Sequence, residues 1–223
     1  MNTYILHIET ATKICSIALS NNGKLVSFKE TDESGYVHAE VITLFIEEVL
    51  SNGGIKANDL NAVSVTAGPG SYTGLRIGVS TAKGLCYALS IPLIAIDALE
   101  NLAHLAALKH PKTTIASMID ARRLEVFSTI YDSSFNVCKP ISADVLDEAS
   151  YLSFEPFIAI GDGAAKFQDL WQGRAVSFDD SIKSTAIGHV DLAYQSYTKK
   201  EFVDVAYFEP FYLKDFVSTA KGN

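Results

Sequence analysis

Long apolar runs are missing: none reaches the roughly 18–20 residues a bilayer span needs, which argues against a transmembrane helix. Basic residues are in short supply, 18 against 26 acidic ones for a formal net charge of −8, and no basic run exceeds two residues. A protein that holds nucleic acid unaided needs cationic surface to displace phosphate counterions. Direct strong nucleic-acid binding by this chain alone is therefore not expected, unless folding gathers scattered cations on one face. Only three cysteines occur, Cys15, Cys86 and Cys138, far apart and without a CxxC pair. A disulfide framework or zinc ribbon is thereby excluded, and the thiols read as small buried hydrophobes in a reducing cytoplasm. The first residues, MNTYILHIE, lack a basic region and carry His7 and Glu9 inside their apolar stretch, so no signal peptide is expected. Also absent are GxxxxGK[ST], HExxH and a GxSxG frame around Ser71.

What remains is 223 residues, 48% hydrophobic and 20% charged, ordinary for one large or two small globular domains. The most informative stretch is residues 66–91, where a β-rich run leads through Gly68-Pro69-Gly70 into an almost uncharged helix. Gly70, Gly74, Gly78 and Ala82 recur there every four residues. Each interior glycine costs about 0.5–1 kcal/mol relative to alanine, a cost that a closely approaching backbone offsets. Gly70 to Gly74 is a spacing of four where the dinucleotide fingerprint has three. The segment reads as a sharp turn plus a helix-packing device, with an anion at the helix N-terminus as the second reading.

Ahead of it, Tyr4–Ile8, Ile14–Leu19 and Leu25–Lys29 spell a three-stranded meander, turned at Asn21-Asn22-Gly23. After a polar loop, Thr31–Gly35, an amphipathic helix is expected from about His38 to Ser51, carrying Val41, Ile42, Phe45, Ile46, Val49 and Leu50 on one stripe. Then come a strand at Ala62–Thr66, the glycine-rich helix, a strand at Leu93–Ile96 and a helix from Asp97 to Leu108. The order then restarts. Strands are expected at Thr114–Ile119, Glu125–Tyr131 and Asn136–Lys139, a helix at Asp144–Leu152, a strand at Phe157–Ile160 and a helix at Ala164–Trp171. A strand at Ala175–Phe178 and a helix at Ile187–Tyr197 close the series. Each half thus reads βββαβαβα, which predicts two layered α/β domains in tandem, residues 1–106 and 107–215, with 216–223 a tail. The last helix is free to pack back on the first domain.

Glu9-Thr10-Ala11-Thr12 in the first hairpin is similar to the acid-Gly-Thr-Thr phosphate loops of actin-like kinases and ATPases. Glu9 is longer than the usual aspartate, and Ala11 adds a Cβ where bare backbone serves phosphate approach, so the loop reads as vestigial. His38 and Glu40, two residues apart, point away from each other on a helix and form no i,i+4 metal pair. The remaining histidines are isolated, and Asp120, Arg122, Arg123 and Glu125 read as cross-strand ion pairs. No catalytic residue and no metal ligand set is nominated.

Taken in order, these segments resemble the TsaB (YeaZ) family. The blocks that carry the likeness are Ile8-Glu9-Thr10-Ala11-Thr12, His38-Ala39-Glu40, Gly68-Pro69-Gly70-Ser71-Tyr72-Thr73-Gly74-Leu75-Arg76-Ile77-Gly78 and Ala82-Lys83-Gly84-Leu85. Asp120-Ala121-Arg122, Gly161-Asp162-Gly163-Ala164 and Pro210-Phe211-Tyr212-Leu213-Lys214 continue it. The resemblance implies an actin-like/Hsp70-like (ASKHA) architecture of two RNase H-like domains. It also implies a cytoplasmic, non-catalytic subunit that binds and activates TsaD, which places threonylcarbamoyl on N6 of adenosine 37 in ANN-decoding tRNAs. TsaD carries a metal-binding HxxxH after its glycine-rich helix; the matching stretch here has His104 alone. Expected partners are a TsaD-like protein, a TsaE-like ATPase, and a second copy of the chain when TsaD is absent. No cofactor is expected, a nucleotide being conceivable only at the shared interface with TsaD. The expected interface residues are His38, Val41, Ile42, Phe45, Gly74, Gly78, Ala82 and Cys86. The rival reading is an actin-like ATPase or small-molecule kinase; a metalloprotease, lacking paired ligands, is the weaker rival.

Overall fold

A computed structural model describes residues 2–31 and 38–214. Alternating β-branched and apolar residues form ten strands among them, in two five-stranded sheets of matching topology. In the first, β1 (Tyr4–Glu9), β2 (Ser16–Asn21) and β3 (Lys24–Glu30) run antiparallel, while β4 (Leu60–Gly68) and β5 (Leu93–Asp97) run parallel to β1, in the order β3-β2-β1-β4-β5. The β2–β3 turn holds Asn22 and Gly23 at φ of 50° and 70°, the positive angles that asparagine and glycine accept most readily. The second sheet repeats the plan with β6 (Ile115–Asp120), β7 (Glu125–Tyr131), β8 (Val137–Val145), β9 (Phe157–Ile160) and β10 (Val176–Asp179), ordered β10-β9-β6-β7-β8.

Among the described residues four α-helices cover these sheets, and their placement crosses between the halves. α1 (His38–Asn52) and α2 (Tyr72–Leu89) bury Ile42, Ile46, Val49, Val79, Ala82 and Cys86 against Leu6, Ile8, Ile17, Val63 and Val65. The opposite face of that sheet is closed by α4 (His189–Lys199), whose Ala193 meets Ile5, Ala62, Ile94 and Ile96. α3 (Ala98–Lys109), capped by Asp97 accepting from the Leu99 and Glu100 amides at 2.8 and 2.9 Å, lays Leu99, Leu102 and Ala106 on Ile115, Ile119 and Ile158 of the second sheet.

The strands follow the sequence expectation closely, but the second half departs from it in its helices. Residues expected to be helical over Asp144–Leu152 instead finish β8 at Val145 and continue in turns to a 3-10 segment, Leu152–Phe154. Asp144 is held there by Ser128, Tyr151 and Lys139, and Asp147 ties down Ala149 and Ser150 locally, an alternative to helical bonding. The helix expected at Ala164–Trp171 is a 3-10 turn, Ala164–Phe167, because Phe167 and Trp171 are drawn into an aromatic cluster with Phe157. Cys15 and Cys86 are buried as expected, whereas Cys138 is exposed. Most of the loop Thr31–Gly35 and the tail 216–223 lie outside the described residues.

After α4 the chain doubles back over the first sheet. Val203 bridges Leu93, Lys83 donates to the Ala206 and Phe208 carbonyls at 3.1 and 2.9 Å, and the Phe211 amide donates to the Ala67 carbonyl at 2.7 Å. Tyr212 packs tilted against Tyr72 with ring centroids 4.6 Å apart, and Lys214 pairs with Glu125 of the second sheet. This strap joins the two halves.

Candidate functional site

Two hairpin tips face the junction between the sheets. Ala11, from the β1–β2 loop, and Ala121, from the β6–β7 loop, pack into the same apolar cluster with Leu75 and Ala98. The first tip carries the Glu9–Thr12 loop whose sequence is similar to phosphate loops, so the state of its polar groups decides what the junction can do.

At the first tip the carboxylate is fully engaged, while the buried Thr10 hydroxyl has no hydrogen-bond partner. Glu9 is fully buried, and its longer side chain folds back so that Oε1 accepts the Ala11 amide at 2.7 Å. Its Oε2 accepts from Ser184 Oγ at 2.8 Å and Asn101 Nδ2 at 3.1 Å, with His189 Nε2 at 3.4 Å. Burial by itself would raise the Glu9 pKa, but the bond and charge of His189, with Thr66 and the Ala11 amide, hold it below the usual carboxylate value. The start of α2, expected as a possible anion site, is filled by the chain itself: the Ser71 amide donates to the Ala11 carbonyl at 2.7 Å, and Ser71 Oγ accepts the Gly74 amide at 3.2 Å. His38 Nε2 contacts the Thr12 carbonyl at 3.0 Å.

The glycine face of α2 is explained by the same packing. A Cβ at Gly70 would strike Ala11, at Gly74 the Thr10 carbonyl, and at Gly78 the Thr10 hydroxyl. Sequence reasoning found the close approach but assigned it to a partner; the approaching backbone is the chain's own first hairpin. Of the eight expected interface residues, Gly74, Gly78, Ala82, Cys86, His38 and Ile42 are buried inside the chain, and only Val41 and Phe45 keep a half-exposed surface. The outward face of the same helix pair carries Leu44 and Tyr87, 61% and 84% exposed, beside half-buried Ile77 and Leu85. Gly84 stands on it with nothing within 4 Å of a Cβ built there.

Behind Glu9 lies a polar chain that the sequence did not reveal. His189 Nδ1 and Nε2 meet Ser64 Oγ and Thr66 Oγ1, both at 3.2 Å, and His7 bridges Ser64 and Ser20 at 2.8 Å each. Ser64, His189 and Glu9 stand in the order nucleophile, base and acid, yet all three are fully buried and Ser64 is shared between two imidazoles. No substrate atom could reach them, and the arrangement serves as an internal latch for α4. Burial, reinforced by the charge of His189, pushes the His7 pKa well below its ordinary value. Among the described residues no group of three or more His, Cys, Asp or Glu side chains is placed to hold a metal. His104 meets Asp191, at 3.6 Å, and the edge of Phe135. A hollow of about 650 Å³ opens at the opposite end of the second sheet, lined by Lys112, Thr114, Pro156 and Arg174 among others. Arg174 is consumed there by Glu155 and by the Glu148 and Ser150 carbonyls.

The second tip differs from its sequence reading. Asp120 pairs with Lys166 and Glu125 with Lys214, so Arg122 and Arg123 are not the partners of these carboxylates. Both arginines sit exposed on the loop between β6 and β7.

Two like sheets meeting at paired hairpins define the actin-like class of fold. The activator of 2-hydroxyisocaproyl-CoA dehydratase from Clostridium difficile, solved with ADPNP, superposes with a TM-score of 0.51 at 13% identity, covering 92% of this chain and 99% of that one. YeaZ from Pseudomonas aeruginosa superposes with a TM-score of 0.81 at 24% identity, over 95% of this chain and 100% of its own. The sequence model described as TsaD, tRNA N6-adenosine threonylcarbamoyltransferase, matches residues 33–215, and the chain belongs to this family. Proteins called "tRNA threonylcarbamoyladenosine biosynthesis protein TsaB" are similar over nearly the whole length. That of Escherichia coli is 29% identical over 97% of both chains, and that of Haemophilus influenzae 28% over 99% of this chain and 97% of its own.

Proposed function

We propose that the chain is a non-catalytic, cytoplasmic subunit of the machinery that forms N6-threonylcarbamoyladenosine at position 37 of ANN-decoding tRNAs, acting by binding and activating a TsaD-like protein. Glu9 carries this reading: the acid that an actin-like ATPase would direct at a metal-bound water is enclosed and bonded by the chain's own Ala11, Asn101, Ser184 and His189. The similarity to TsaB proteins supplies the pathway. The docking face is the outward side of α1 and α2, with Val41, Leu44, Phe45, Ile77, Leu85 and Tyr87, where Gly84 leaves room for a second backbone. That face would hold a second copy of the chain when TsaD is absent. A TsaE-like ATPase would join the assembly, and any nucleotide would belong to the interface with TsaD.

The test is capture of the TsaD-family protein of the same organism, and light scattering on the chain alone, for the wild type and a Leu44→Glu, Leu85→Glu variant with unchanged circular dichroism. Loss of both captures supports the reading. Ala82→Glu is unsuited to this purpose, since Ala82 is 0% exposed and the charge would enter the chain's own core. Phosphate release from ATP by the purified chain, with TsaD binding absent, would favour the kinase or ATPase reading instead.

A further inference from the structure

The β6–β7 loop places Arg122 and Arg123 at φ of 74° and 52°. Two successive side chains with a Cβ in the left-handed region are strained, and glycine or asparagine would sit there with less cost. Such strain, where it persists, points toward use rather than packing. The loop itself is well anchored, the Arg122 amide on Asp120 Oδ1 at 2.6 Å and the Asp120 amide on Asp162 Oδ1 at 3.0 Å. Both arginine side chains are exposed. Lys13, on the facing hairpin, is exposed as well and lies near enough to act on the Asp162 carboxyl. Among the described residues, none takes a hydrogen bond or ion pair from the side chains of Lys13, Arg122 or Arg123. The neighbouring carboxylates are already committed, Asp120 to Lys166, Glu125 to Lys214 and Asp162 to the Asp120 amide. Folding has therefore left Arg122 and Arg123 without a carboxylate partner at this tip, with Lys13 nearby and partly offset by Asp162, on a chain whose formal net charge is −8.

We infer that the paired hairpin tips, through Arg122, Arg123 and Lys13, contact the phosphodiester backbone of the tRNA while the chain is assembled with its TsaD-like partner. Guanidinium groups match phosphate oxygens with two parallel donors, and three cations suffice to orient an RNA that the partner holds. They are too few to bind it unaided, in keeping with the acidity of the rest of the chain. The inference rests on the function proposed above.

The variant Arg122→Asn, Arg123→Gly removes both charges and substitutes residues that accept positive φ, so it folds at least as well as the wild type. With unmodified tRNA transcript and the assembled complex, fluorescence anisotropy should show affinity reduced about tenfold near 0.1 M salt. The slope of log K against log salt should become shallower by roughly one to two units. Lys13→Ser should weaken binding less, and Lys56→Ser, on a remote turn, not at all. If the variant complex binds tRNA with the wild-type affinity and salt slope, the inference is overturned while the proposed function stands. If the variant no longer captures the TsaD-family protein, the rim is a protein interface and the inference is likewise overturned. If the wild type captures no such protein, the proposed function fails and the inference falls with it.

Discussion

The two sheets share a strand order and differ in what fills them. The first is covered on both faces by α-helices, and at its heart lies a buried polar chain of His7, Ser64, His189 and Glu9. The second has one α-helix and, on its other face, 3-10 turns around an aromatic cluster of Phe157, Phe167 and Trp171. Strand order is thus compatible with two quite different interiors. A helix that must approach a hairpin closely needs glycines and exact register, whereas large rings fill volume under irregular backbone without demanding a regular helix.

The sharpest way to break the second interior is Trp171→Ala. Trp171 is 1% exposed, stacks on Phe167 and donates Nε1 to the Asp147 carbonyl at 2.9 Å, so the loss should be about 3–5 kcal/mol. A urea titration followed by far-UV circular dichroism would measure it, and a change under 1 kcal/mol would mean the turns do not depend on the ring. In the first interior the corresponding strike is Gly74→Ala, which drives a methyl into the Thr10 carbonyl and should cost about 2–3 kcal/mol. An alanine tolerated there without loss would contradict the packing of α2 on the hairpin.

A pH scan tests the buried polar chain of the first half. Unfolded, His7 takes up a proton near pH 6.5; folded, burial and His189 keep it neutral, so the unfolded state binds more protons below that value. That contribution is fully present above pH 6.5 and is lost progressively as pH drops below it. Glu9, held below its ordinary value, adds a further loss as pH falls through its folded titration range. His7→Gln should start lower and titrate with a flatter slope between pH 7 and 5, and an unaltered slope would remove His7 from the account. The smallest effect has the opposite direction. Gly84→Ala meets open space on the same helix as Gly74 and should stabilise the isolated chain by about 0.5–1 kcal/mol, read from the urea midpoint. If Gly84 serves a partner, the same change weakens capture while strengthening the fold.

Most strands were legible because apolar alternation and glycine turns are local signals, and the Asn22-Gly23 turn has the geometry its residues announce. The 3-10 segments of the second half were not, since Ala164–Trp171 has a helical look that only the aromatic cluster overrides. At the site the sequence singled out Glu9 and Ala11, yet the bonding of Glu9 to Asn101, Ser184 and His189 joins residues up to 180 positions apart, which no spacing displays. The stripe through Gly74 and Gly78 announced a close backbone without saying whose. Arg122 and Arg123 looked like strand ion pairs because a sequence does not show φ.

Helix α4 also sets a timetable. The strands of the first sheet are complete at Asp97, but the cover over Ile5, Ala62, Ile94 and Ile96 comes from α4, ending at Lys199. At translation rates of 5–20 residues per second, that sheet keeps one apolar face bare for roughly 5–20 s on the ribosome. A nascent chain in that interval has a need for chaperone shelter that the finished protein does not share, and a premature stop between β5 and α4 leaves the exposure permanent. The half that is synthesised first is the half that is finished last.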